Sequence, residues 1–373
     1  MTEMLDRINC VICSSSSMEP LVSFKSYPMF MGISKNPSED LSFDQDWSIC
    51  SECGCVQLKK LVPLEKLYER GHNPSIGSTW DKHHRDFADF ISKYSGTSML
   101  ELGGGNCVLF DNLKTLVDFD SYVIYDKRCQ GQDPRLVKKD KFYEPFVVDD
   151  VGIDTIIHSH TMEHFYDPRD FVKSFNDLLD VGGRVILSVP NTKRLVNDKL
   201  NGVNFEHTYF LCMEYLNHIM STFGFELIES ANFNEYNIFA CYEKKTKEVS
   251  DIDLVNQYRE NKKIMEDYVE SNLKDIEKYN EILKDKKNKY LFGCHVTTQN
   301  LIKFGLDLDG VVGLLDNDPG KQNNFLYGTG MMTFSPEVLR EEKQACVLVR
   351  MGIYTDEIVK GLKLINDNLD IVL

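Results

Sequence analysis

Ser98-Met-Leu-Glu-Leu-Gly-Gly-Gly-Asn-Cys107 reads as a buried strand, a glycine turn and the start of a helix. Met99, Leu100 and Leu102 give the strand its apolar character, and the three glycines let the backbone approach a ligand closely. A strand, tight turn and helix in this order form the backbone needed to hold an anionic or nucleoside cofactor. A dinucleotide-binding GxGxxG would place a further glycine at position 108, where Val108 stands. The turn is strengthened by Glu101 ahead of Gly103, Gly104 and Gly105, and by Asp126 at the end of the next strand, Tyr122–Tyr125. A carboxylate at the end of a second strand is suited to accept hydrogen bonds from both hydroxyls of a ribose.

Outward from this turn, strand-like runs alternate with helical ones, as a parallel α/β sheet requires. A helix over Ser78–Tyr94 leads in. Asp154–His158 and Arg184–Val189 follow as the fourth and fifth strands, with a helix over Pro168–Leu179 between them and Gly182-Gly183 ending it. Phe223–Ser230 and Asn237–Tyr242 then read as a closing antiparallel pair. Residues 249–288 are dense in Lys, Glu and Asp and predict a charged helical linker with a solvated surface. Beyond it a smaller α/β pattern begins at Tyr290-Leu-Phe-Gly-Cys294. The expected division is 1–75, 76–248, 249–288 and 289–373.

The first of these segments carries the other strong signal. Cys10-Val-Ile-Cys13 and Cys50-Ser-Glu-Cys53 are two CxxC knuckles, the ligand set of a tetrahedral zinc ion. Four thiolates fill the coordination sphere, so the expected Zn2+ is structural. Cys55 is a spare thiol able to replace Cys53. With few periodic apolar residues, residues 1–75 are a segment in which a metal supplies folding energy.

Composition bounds the partners. At 373 residues with 42% hydrophobic and 27% charged content, the chain is a soluble globular type with more than one core. A net charge of −16 opposes phosphate-backbone binding and argues against nucleic acid as partner. No run of eighteen apolar residues occurs, and the first cysteine precedes any stretch of signal-peptide length, so a cytoplasmic protein without membrane contact is expected. Eleven cysteines spread through the chain predict reduced thiols and a metal site rather than disulfides.

The order Glu101-x-Gly-x-Gly105, an acid after the second strand, Asp154-Thr-Ile-Ile-His-Ser-His-Thr-Met-Glu-His164 and Val189-Pro-Asn191 resembles the class I S-adenosylmethionine-dependent methyltransferases. More narrowly, the chain resembles the three-domain sugar C-methyltransferases of deoxysugar biosynthesis. These join a CxxC…CxxC zinc module, a Rossmann-like methyltransferase domain and a C-terminal α/β nucleotide-fold-like domain. Val312–Gln322 and Phe334-Ser-Pro-Glu337 extend the similarity to nearly the full length.

The resemblance implies S-adenosyl-L-methionine at Gly103–Gly105, with Asp126 on the ribose, Asp140 near the adenine and His160 lining the cofactor side. In that family a His beside a Glu after the fifth strand is implicated as the base, which here falls on His207 and Glu206. Imidazole suits the task because its pKa lies near operating pH, and a carboxylate can orient it. Two departures bear on the acceptor. Asn204 and Phe205 stand where C-methylating members carry a Tyr, and His72 replaces a Tyr upstream. His160, Glu163 and His164 invite a second metal, but the stretch matches members that need none. His83 and His84 are expected to flank the site or lie on a wet helix face.

The implied function is methyl transfer to a small polar acceptor, a nucleotide-linked sugar with C-methylation as the leading reading. O-methylation of a sugar or phosphorylated metabolite is the alternative, and a non-catalytic scaffold that keeps the fold is the reading from another class. A monomer or homodimer is expected.

Overall fold

The computed structural model describes residues 3–69, 77–127, 129, 131–147, 152–199, 203–246, 248–249 and 253–373. At its centre lies a seven-stranded sheet of β1 (Ser98–Leu102), β2 (Ser121–Tyr125), β3 (Leu136–Lys139), β4 (Thr155–Ser159), β5 (Arg184–Pro190), β6 (Phe225–Phe233) and β7 (Asn237–Lys244). Their order across the sheet is 3-2-1-4-5-7-6, with β7 antiparallel to its neighbours and the strands from β3 to β5 paired in parallel. β1 and β4 lie in the middle, covered on both faces, which is why nearly every residue in Met99–Leu102 and Thr155–His158 is apolar or, where polar, buried.

The polarity of the sheet positions the site. Chain order reverses between β1 and β4, so the loops after those two strands open a crevice at their carboxyl ends. The glycine turn and the His160–His164 segment are those two loops. The helix before β1 spans Ser78–Ser92 and buries His83, Phe87, Ala88, Phe90 and Ile91. Of the two places expected for His83, beside the site or on a wet helix face, burial excludes the second, because its i+4 neighbour Phe87 lies on the same buried stripe.

The N-terminal segment builds more core than its sequence suggests. Met18–Pro28, Ser42–Cys50 and Val56–Leu58 form a three-stranded antiparallel sheet around buried Trp47, Ile49, Val56 and Leu58. A further short strand, Ile33–Ser34, leaves this unit and pairs antiparallel with Phe325–Leu326, closing the edge of a second sheet. That sheet runs Asp370–Val372, Cys346–Leu348, Lys289–Phe292, Val311–Leu315, Met331–Phe334, Phe325–Leu326, Ile33–Ser34. The turn after Phe325–Leu326 is anchored by Gln299, whose amide donates to the carbonyls of Phe30 and Tyr327 at 2.8 Å each.

The charged stretch expected as a solvated linker is one helix, Tyr258–Leu283, and one of its faces is not solvated. Asn261, Met265, Tyr268, Asn272, Ile276, Tyr279 and Leu283 recur at intervals of three and four and are buried. Met265 and Tyr268 pack into the core shared by the N-terminal and central units, whereas Ile276, Tyr279 and Leu283 pack into that of the C-terminal sheet. A single helix thus bridges two cores, its Lys and Glu residues taking the outer face. No helix among the described residues is long and apolar enough to cross a membrane.

Candidate active site and metal centre

The glycine turn has the shape its composition predicts. Gly103 sits at φ 78°, where a Cβ would lie 2.5 Å from Thr161 Oγ1, and a Cβ on Gly104 would lie 2.9 Å from Ile124. Gly105, at φ 50°, faces open space, and its N–H donates to Asp126 Oδ2 at 2.9 Å. A turn stripped of side chains, open on one side and bonded to an acid at the end of β2, is a cradle that fits the methionine and ribose portions of a nucleoside cofactor. Asp140 is exposed at the end of β3, on the same rim as Asp126.

Glu101 takes a different place from its neighbours. It lies beneath the turn, 2% exposed, with Oε2 accepting from the Tyr122 hydroxyl at 2.8 Å. Burial pushes its carboxyl up to about 7, with Asp126 adding to the rise and the Tyr122 hydrogen bond opposing it. Glu101 supports the turn from inside the sheet rather than from the open side.

Behind β4 the backbone doubles back. His160 adopts φ 51°, and its N–H donates to the Ser188 carbonyl on β5 at 2.8 Å. Its ring is 5.0 Å from Trp80 and 5.3 Å from His83, centre to centre, and its Nδ1 is 3.1 Å from Glu163 Oε1. His83 Nε2 in turn pairs with Ser188 Oγ at 2.9 Å. Burial, with His160 and His84 adjacent, pushes His83 down to about 2, so it is a neutral packing residue.

The next turn, Met162–His164, brings a second set together. Glu163, His164 and His207 place ligand-type atoms within 4.8 Å of one another. Burial raises the carboxyl of Glu163, but His160, His164 and His207 more than offset this and hold it at about 2. Glu206, 2% exposed, approaches His164 Nδ1 at 3.7 Å, and the Tyr68 hydroxyl reaches the same nitrogen at 2.7 Å. Glu163 thus stands near His160, His164 and His207, and Glu206 near His164. Asn204 shapes the loop, its Oδ1 accepting from the N–H groups of Glu206 at 2.8 Å and His207 at 2.7 Å.

This group has the residue types of a metal site, yet each carboxylate already has an imidazole beside it. Proton transfer needs no more. Tyr68 is the residue the sequence reading missed, since nothing near it in the chain points to a partner 96 positions away. His72 lies outside the described residues.

The cysteine knuckles converge as expected. The sulfurs of Cys10, Cys13, Cys50 and Cys53 lie within 4.8 Å of one another, with Cys10 to Cys53 at 3.5 Å and Cys13 to Cys50 at 3.6 Å. Thiolates about 2.3 Å from a tetrahedral zinc stand about 3.8 Å apart, so the set fits that ion. Both knuckles close alike: Ser14 and Gly54 follow the second cysteine at positive φ and return their N–H to the carbonyls of Cys10 and Cys50. Cys55 is outside the cluster, its sulfur turned to the Val56 carbonyl.

The knuckles also touch the rest of the chain. Arg169 donates to the Ile12 carbonyl at 3.0 Å, the Tyr215 hydroxyl to that of Cys53 at 3.2 Å, and Asn261 to that of Gly54 at 2.9 Å. A Cβ on Gly54 would lie 2.3 Å from the backbone of Tyr258, so only glycine admits the bridging helix here. Of the remaining cysteines, Cys107 and Cys129 bring their sulfurs together, while Cys212, Cys241, Cys294 and Cys346 are separate and buried.

Residues 80–230 match the model of a methyltransferase domain. No curated protein matches the chain. Among solved structures the chain is similar to an S-adenosylmethionine-dependent methyltransferase of Mesorhizobium loti, at 9% identity, 43% of this chain, 96% of that one and TM-score 0.36. It is similar to the N-methyltransferase NodS of Bradyrhizobium japonicum at 10% identity, 45% and 97% coverage and TM-score 0.34. Human N-acetylserotonin methyltransferase is similar at 14% identity, 44% and 52% coverage and TM-score 0.37. The methyltransferase-domain match runs through β1 to β5, the glycine turn and both His–Glu loops, so this part of the chain is a methyltransferase domain.

Proposed function

We propose that the acceptor is a nucleotide-linked sugar and that a carbon next to its ketone is methylated, with His207 as the base. The observation that carries this reading is the convergence of Tyr68, Glu163, His164, Glu206 and His207 on the loops that neighbour the glycine turn. The sulfonium methyl of the donor is already electrophilic, so the protein has chiefly to align donor and acceptor and remove one proton.

Gly103–Gly105 hold the donor, with Asp126 on the ribose, Asp140 near the adenine and His160 on the inner wall. His207 takes the proton alpha to the carbonyl, and Glu163 beside it stabilises the imidazolium that results. Glu206 and Tyr68 fix His164, whose ring lies 5.2 Å from that of His207 and can donate to the forming enolate. Cys10, Cys13, Cys50 and Cys53 hold a structural zinc that takes no part in the chemistry.

Methyl-labelled S-adenosylmethionine offered with a panel of nucleotide-linked keto and hydroxy sugars tests the acceptor. Label attached through carbon supports the reading. A methyl ether as product, or transfer confined to phosphorylated metabolites without a nucleotide, replaces it with O-methylation.

A further inference from the structure

We infer that the Cys107–Cys129 pair is a redox switch on cofactor affinity. Cys107 ends the first of the two loops that form the cradle, and Cys129 lies in the second. Cys107 closes the glycine turn, its N–H donating to the Gly104 carbonyl at 2.8 Å, and is the first residue before the helix Val108–Leu113. Cys129 lies three positions beyond Asp126, the acid that accepts from Gly105. Their Cα atoms are 6.1 Å apart and 22 residues separate them, within the usual reach of a disulfide.

The bond lies under the cradle rather than in it. Cys107 is 1% exposed and Cys129 7%, and both belong to the apolar cluster that includes Leu109, Tyr122 and Ile124. A Cβ on Gly131 would lie 2.9 Å from Cys107 Sγ, so the chain passes close over the pair only because that position is glycine. The disulfide therefore blocks nothing on the open side of Gly105. It ties the turn that takes the methionine portion to the loop that takes the ribose, and so holds the Gly105–Asp126 bond in the geometry that binds.

The oxidation state changes by thiol–disulfide exchange. Glutathione disulfide accepts two electrons from Cys107 and Cys129, one sulfur–sulfur bond forms in the protein, and two glutathione thiols leave with the two protons. A dithiol reductant reverses this, its own sulfur–sulfur bond forming as the protein's breaks. The reduced pair leaves the two loops joined by hydrogen bonds and packing alone, and the cofactor must then order them as it binds. By linkage, bound cofactor favours the disulfide by the same factor by which the disulfide favours the cofactor.

The inference rests on the placement of S-adenosylmethionine at Gly103–Gly105, and the test separates the two. The full-length protein is equilibrated with glutathione disulfide or with a phosphine reductant, alkylated and mapped by mass spectrometry, and titrated with S-adenosylhomocysteine by calorimetry. The expected map shows Cys107 joined to Cys129 in the oxidised sample. The expected affinity falls about five- to tenfold on reduction, the low end of ordinary coupling factors. Cys107→Ser and Cys129→Ser should each bind as the reduced form does and ignore the reductant. Free thiols at both positions after oxidation, or equal affinity in mapped oxidised and reduced protein, overturn the switch while leaving the cofactor site intact. Absence of binding in every form overturns the cofactor placement and the switch with it.

Discussion

Gly105 and Asp126 are joined by a 2.9 Å hydrogen bond from the backbone of the first loop to the carboxylate of the second, so the cradle is closed before any cofactor enters. Asp126 holds the turn with one oxygen, and the proposed cofactor placement puts the ribose against the same carboxylate. Asp126→Ala should weaken S-adenosylhomocysteine binding by about 1.5–3 kcal/mol, the scale of a hydrogen bond to a charged group. Calorimetry showing equal affinity would mean that the ribose lies elsewhere.

Glu101 makes stability depend on pH. Its folded-state pKa is about 7, above the ordinary value of 4.5, so the folded state favours the protonated carboxyl. Stability from this group is fully present below about pH 4.5, declines as pH rises, and is lost once pH passes about 7. The difference amounts to about 3 kcal/mol. Glu101→Gln keeps an acceptor for Tyr122 but cannot ionise, so the stability of the variant relative to the parent should rise between pH 4.5 and 7 and level off above. Parallel pH profiles in denaturant unfolding would contradict the burial argument.

The four-cysteine cluster predicts one zinc per chain. Cys50→Ser with Cys53→Ser should abolish metal content and destabilise the bridging helix as well, because Gln257 and Asn261 are hydrogen-bonded to the carbonyls of Cys53 and Gly54. Elemental analysis and proteolysis near Tyr258 read the two effects. Zinc content near zero in folded parent protein would remove the metal from the account.

Much of this was legible because it is local. A five-residue apolar strand followed by three glycines leaves few alternatives, and two CxxC pairs carry their chemistry in their spacing. Asp126 could be read because an acid ending the second strand has a fixed relation to the turn of the first. What escaped depends on long-range packing. Tyr68 meets His164, and Ile33–Ser34 completes a sheet whose other strands begin near residue 289. The helix Tyr258–Leu283 was read from its charge, although the Met265, Tyr268, Ile276 and Tyr279 spacing marked a buried stripe. Sequence adjacency marked Glu206 beside His207, whereas the approach of Glu163 to His207 and of Glu206 to His164 comes from loops that meet only in the fold.

The two carboxylates have separable roles. Glu163→Gln should lower kcat more than Glu206→Gln, since the charge of Glu163 acts directly on His207, and His207→Ala should cost about 10²–10⁴ in kcat with cofactor affinity nearly unchanged. Steady-state kinetics on the true acceptor decides this. Near-normal turnover in His207→Ala would move the base to His160, His164 or His72.

The most direct measurement is exchange of the sugar's alpha proton in deuterated water, with S-adenosylhomocysteine in place of the methyl donor. The parent enzyme should incorporate deuterium next to the ketone, and His207→Ala should not, because no methyl transfer is needed for the base to act. Exchange that persists unchanged in His207→Ala, or product formation by the parent without any exchange at that carbon, would contradict the account.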